Sequence, residues 1–147
     1  MEAQNDEIVA FSTPPKDPVE IWLQLLDYCK KKRARIQLYA KVPTEEVSYR
    51  LNIINPREDI CRWLLQIKEN PECFKPKPLR RPEVGVAGTP VYAYSIPYED
   101  QHYYQALCEK TNQKDEKIIT IMFIKSLKMD NRFPTLRGSY DYKMPCL

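Results

Sequence analysis

The chain has 147 residues, close to the commonest domain size and long enough to bury one core. With 23 Lys and Arg against 20 Asp and Glu, its net charge of +3 is too small to argue for nucleic acid by itself, and its three glycines supply no phosphate-cradling loop. No window approaches the roughly 20 apolar residues of a membrane span, and Met1 to Asp6 is polar where a secretory leader would turn apolar. An intracellular protein with no membrane partner is therefore expected.

Residues 1–16 are polar and end in Pro14 and Pro15, which reads as a flexible leader. A segment over 17–70 follows. Asp17-Pro18-Val19-Glu20 is a helix start, with an Asp cap, Pro at the first helical position and Glu three residues after the cap. Trp22, Leu25, Leu26 and Cys29 continue at helical spacing to about Lys32, and Lys30 to Arg33 suit the negative end of the helix dipole. Ile36, Leu38 and Ala40 alternate with polar positions, as do Val47, Tyr49, Leu51 and Ile53. With Pro43 to Glu46 as the turn, this predicts a β-hairpin. Asn55-Pro56-Arg57-Glu58 repeats the helix-start arrangement, and Ile60, Trp63, Leu64 and Ile67 form the apolar stripe of a second helix.

Residues 71–87 mix Pro71, Pro76, Pro78 and Pro82 with Lys75, Lys77, Arg80 and Arg81, which predicts an extended connector without a ladder. Three strands are then expected within 88–127, over Gly88–Tyr94, Asp100–Leu107 and Ile118–Ile124. Turns fall at Pro97 to Asp100 and Asn112 to Glu116. Residues 128–147 read as loop and tail.

The C-terminal strands resemble a Tudor domain. The residues that carry the resemblance are Gly88 to Ala93, Asp100, Tyr103-Tyr104 with Ala106, and Ile118 to Phe123, in the family's order. It implies a small antiparallel barrel, and an α+β fold in which that barrel packs with a hairpin and two capped helices. It also implies an aromatic cage for a methylated cation, with Tyr92, Tyr94, Tyr98, Tyr103, Tyr104 and Phe123 as candidate walls. Where methylarginine readers continue as Phe, any, Asp, Tyr, Gly, this chain has Phe123-Ile124-Lys125-Ser126-Leu127, so the cage is expected to be degenerate. Residues 35–65 look like part of the nuclease-like half of an extended Tudor unit. The family implies an adaptor in small-RNA pathways or ribonucleoprotein granules, in the cytoplasm, including perinuclear granules, or in the nucleus.

The expected partner is another protein or peptide. The alternative is direct RNA or single-stranded nucleic-acid contact through Lys30, Lys31, Lys32, Arg33 and Arg35 together with Lys75, Lys77, Arg80 and Arg81, provided the two runs meet in space. Strand edges or the Trp22 helix are candidates for self-association.

Catalysis is not expected. His102 is the only histidine, which removes multi-histidine metal sites, and Cys108 on a straight strand would stand about 20 Å from it. Five cysteines, an odd number without C-x-x-C spacing, predict free buried thiols rather than a disulfide or zinc framework. No cofactor or metal is expected.

Overall fold

The computed structural model describes residues 10–80, 85–122 and 143–146, and it is α+β. Three helices, α1 (Pro18–Lys31), α2 (Thr44–Leu51) and α3 (Pro56–Leu65), accompany seven strands. These are β1 (Ile36–Leu38), β2 (Glu72–Phe74), β3 (Lys77–Pro78), β4 (Pro90–Tyr98), β5 (Gln101–Thr111), β6 (Lys117–Met122) and β7 (Lys143–Pro145). The strands form one mixed, open sheet in the order β1-β6-β5-β4-β2-β7, with β3 also beside β4. Among the described residues β1 and β7 stay apart at its two edges. Among the described strands only β1 against β6 is parallel.

The helix starts follow from local chemistry. Asp17 Oδ1 accepts the Val19 N–H at 3.0 Å, and Pro18 takes the first helical position, where its missing donor costs nothing. At α3 the reciprocal half of a cap appears instead, with the Asn55 N–H donating to Asp59 Oδ2 at 3.2 Å. Apolar faces of α1 and α3 then cover one face of the sheet. Trp22, Leu25, Cys29, Ile60, Trp63 and Leu64 join Tyr92, Tyr94, Ile96, Tyr103, Leu107, Ile119 and Ile121 in one cluster. Because side chains alternate along a strand, the intervening residues form the other face. Leu79, Val91, Ala106, Cys108 and Met122 cluster there, as do Phe74 and Ala93. Burial on both faces explains why β4 and β6 read as nearly continuous apolar runs.

Three expectations are corrected. The segment from Val47 to Ile53 is not a strand: α2 occupies Thr44–Leu51, so there is no β1 hairpin. Val47 and Leu51 satisfy both periods, but Tyr49 decides between them. On a strand it would share their face, whereas on the helix it points away and is 87% exposed. Glu46 and Arg50 add an i,i+4 ion pair at 3.1 Å that only a helix can form. The connector over 71–87 does form ladders, because its prolines stand beside or at the ends of two short strands: Cys73 pairs with Tyr94, and Lys77 with Val91. Third, Cys73 and Cys146 are joined in a disulfide with Cα atoms 5.6 Å apart, while Cys29, Cys61 and Cys108 are free and buried.

Residues 10–16 lie against the body. The Ser12 N–H donates to the Gly88 carbonyl at 2.9 Å, and the Lys16 N–H to the Tyr92 hydroxyl at 3.0 Å. Gly88 has φ +90°, and a Cβ there would stand 2.5 Å from the Ala10 carbonyl oxygen, so only glycine admits this approach.

The β4–β5 hairpin turns through Glu99 and Asp100, with Tyr98 paired to Gln101. Glu99 has φ 58° at the first loop position, where two-residue turns of type II′ favour glycine. Glu99→Gly is therefore expected to raise stability by about 1 kcal/mol through relief of the left-handed penalty. Urea unfolding with an unchanged m-value checks it, and a fall in the midpoint would sink the argument.

Candidate functional site: a groove along α2, α3 and the hairpin end

The end of the β4–β5 hairpin lies against α3. The Trp63 indole meets the Tyr98 ring edge-on at 5.2 Å, and Tyr98 stands 6.3 Å from Tyr103. Register explains the grouping: Ile96 opposes Tyr103, which puts Tyr98 and Tyr103 on the helix-covered face at neighbouring positions. The Tyr98 hydroxyl donates to the Leu51 carbonyl at 3.5 Å, tying the hairpin end to the C-terminus of α2. Asn52 follows there in the left-handed conformation that ends helices.

Three clefts run in series across this corner. The first, about 430 Å³, lies between Tyr49 and Ile54; the second, about 290 Å³, between Ile54 and Tyr98 with Trp63 in its wall; the third, about 200 Å³, beyond Tyr98 toward Glu69. Ile54 belongs to the first two, and Tyr98 with Gln66 to the second and third. Ile54 is 92% exposed, so two large apolar side chains, Tyr49 and Ile54, face solvent along one groove. Charges of both signs border it. Asp59 and Arg62 form an ion pair at 3.0 Å, and Glu45, Arg57, Lys68 and Glu69 line the ends. The Trp63 Nε1–H is buried with no hydrogen-bond partner, a donor whose need is unmet within the fold.

The structure distributes the sequence-predicted aromatics unequally. Tyr98 and Tyr103 come together. Tyr92 and Tyr94 are in the core, where the Tyr94 hydroxyl donates to the Pro18 carbonyl at 2.9 Å and the ring packs 5.2 Å from Trp22. Burial pushes both phenols above the ordinary tyrosine range, for Tyr94 well above it. Tyr104 opposes Ser95 on the other face and packs against Phe74 and Ala93. Phe123 lies outside the described residues, as does Arg81. Trp63 stands in the apolar stripe of α3, and no sequence signal distinguishes a stripe tryptophan whose N–H finds no partner from one whose N–H does. Trp22, 1% exposed, offers nothing to a second copy.

The two basic runs stand at different sides of the sheet. Lys30 to Arg35 lead into β1, whereas Lys75, Lys77 and Arg80 flank β3 and the far side of β4. Four strand spacings separate β1 from β2, roughly 19 Å. Within the first run, Lys31 pairs with Asp27 at 3.4 Å, and Arg35 pairs with Glu116 at 3.2 Å while lying 5.8 Å over the Tyr28 ring.

His102 opposes Pro97, so it belongs to the strand face away from the helices, while Cys29 and Cys61 lie in the helix-side cluster and Cys73 is bonded to Cys146. No group of three or more metal-ligating residues occurs among the described residues, and none of their helices is long and apolar enough to cross a membrane. The chain matches no family model, no curated protein and no solved structure.

Proposed function

We propose that the chain is a non-enzymatic adaptor that binds an extended segment of another protein along the groove from Tyr49 past Ile54 to Tyr98. The observation that carries this reading is that three neighbouring clefts share Ile54 and Tyr98 in their lining. A chain of small clefts with exposed apolar side chains between them suits alternate side chains of a peptide, and an aromatic anchor with a polar rim is the usual anatomy of such contacts. Mixed charge along the groove favours a peptide over a phosphate backbone. The resemblance of the β4–β6 strands to a Tudor barrel with a degenerate cage adds the setting, RNA-associated machinery in cytoplasm or nucleus, and it alone supports that setting.

Two substitutions test the groove. Ile54→Glu changes an exposed side chain and leaves the fold intact, while Tyr98→Ala removes the shared anchor. Each is expected to lower partner recovery about tenfold or more, a hot-spot loss of roughly 2 kcal/mol. The assay is affinity purification of the tagged chain, split into nuclease-treated and untreated halves. Full recovery with both variants would refute the groove. Partners lost with their RNA on nuclease treatment would transfer the contact to Lys30–Arg35 or Lys75–Arg80.

A further inference from the structure

One polar group beside the groove has no use within the fold. Trp63 is 2% exposed, its Nε1–H has no acceptor, and the residue stands in the wall of the cleft of about 290 Å³. Gln105 Nε2 and Thr120 Oγ1 are also buried and unmet, but they sit within β5 and β6 and line none of the three clefts. An unmet buried donor destabilises a fold. A position that needed only an apolar filler is better served by a side chain without the N–H.

Tyr98 stands beside this donor. Its ring meets the Trp63 indole edge-on at 5.2 Å, and it belongs to the walls of both this cleft and the neighbouring one of about 200 Å³. Little holds the ring there. Its hydroxyl reaches the Leu51 carbonyl only at 3.5 Å, where a hydroxyl bond is ordinarily about 2.7 Å long, and the Tyr103 ring centroid is 6.3 Å away. Rotation of the Tyr98 side chain between staggered positions needs no movement of the backbone.

We propose that the Trp63 Nε1–H is the hydrogen-bond donor with which the groove holds its partner, that the acceptor is a main-chain carbonyl of the bound segment, and that the Tyr98 ring turns aside to admit it. This rests on the groove reading above and adds the group that recognises the peptide backbone. An indole nitrogen can only donate, so what it takes is an acceptor. A neutral carbonyl is less costly to desolvate than a carboxylate. The charged pair in the same wall, Asp59 and Arg62, is already closed at 3.0 Å and leaves no net charge to draw an acidic group. An extended segment presents carbonyls at every residue, whatever its side chains, so this donor fixes the register of the segment while the clefts take its side chains.

The test needs no identified partner. The full chain is labelled with nitrogen-15 at its two indoles and titrated with N-methylacetamide, a single peptide group, with acetate at matched ionic strength as the second probe. The Trp63 indole proton is expected to move downfield and to saturate with N-methylacetamide. Trp22, packed in the core and absent from the three clefts, is expected to stay in place. Tyr98→Ala, which removes the cover, is expected to bring the midpoint down about tenfold. Should that variant fail to fold, Tyr98→Phe, which removes only the bond to Leu51, is expected to lower the midpoint twofold to threefold. A drift without saturation that is equal for both indoles, or saturation by acetate alone, would overturn the proposal. Trp63→Phe in the partner assay separates it from the groove reading: partner recovery kept with Trp63→Phe but lost with Ile54→Glu would leave the groove standing and remove Trp63 from it.

Discussion

Reduction of the Cys73–Cys146 bond is expected to lower the unfolding free energy by about 4 kcal/mol. The two cysteines are 73 residues apart, and closing so long a loop removes much of the unfolded chain's freedom. Both sulfurs are buried, and the bond fastens β7 to β2, a contact otherwise held by the short ladder that joins Glu72, Cys73 and Phe74 to Pro145, Met144 and Lys143. The Cys146 N–H adds a bond to the Pro71 carbonyl at 3.1 Å. For a domain of this size the loss corresponds to a fall in Tm of roughly 10 °C. Thermal unfolding with and without reductant measures it, and the Cys73→Ala, Cys146→Ala double variant serves as control. Reductant should shift the wild type and leave the double variant where it is. An unchanged Tm on full reduction would mean that the ladder alone holds β7.

This bond also bears on where the chain works. Disulfides persist in oxidising compartments and are rare in the cytosol, whereas the Tudor resemblance implies cytoplasm or nucleus. Equilibration against glutathione separates the two cases: a bond that resists a poise of about −250 mV is compatible with the reducing compartment, and one that opens there is not.

What was readable in the sequence divides along a physical line. Wherever one segment's own chemistry decides its structure, the residues disclosed it. Asp17-Pro18 and Asn55-Pro56 start α1 and α3, and apolar and aromatic runs between turn residues at Pro97–Asp100 and Asn112–Glu116 mark β4, β5 and β6. Wherever a distant partner decides, it stayed hidden. Val47 and Leu51 suit helix or strand equally, and only the surface on which α2 rests turns Tyr49 outward. Glu72–Phe74 and Lys77–Pro78 become strands because β4 offers them an edge. The Cys73–Cys146 bond joins residues that no spacing rule connects. The groove is of the same kind. Tyr98 is one of six candidate aromatics in the sequence, and only the packing of α2 and α3 brings Ile54 and Trp63 to it.

Tyr94 separates a binding aromatic from a structural one most sharply, and its replacement is the second large effect expected. Its ring is fully buried against Trp22 and its hydroxyl holds the Pro18 carbonyl, so it fixes the start of α1 on the sheet. Tyr94→Ala opens a cavity of aromatic size and should cost about 3–5 kcal/mol. Tyr94→Phe keeps the ring and leaves the carbonyl without that donor, at about 1–3 kcal/mol. The phenol also predicts a pH dependence. Burial raises the folded pKa above the unfolded value of about 10, so the native state keeps a proton that the unfolded chain gives up. Stability is therefore fully present below about pH 10 and falls as pH rises from there toward the folded pKa. Urea unfolding from pH 8 to 11 should show this decline in the wild type and a shallower one in Tyr94→Phe, with Tyr92 responsible for part of the remainder. If Tyr94→Ala instead kept the wild-type midpoint and lost partner binding, Tyr94 would belong to the contact surface, and the division between the core tyrosines and the Tyr98 groove would fall.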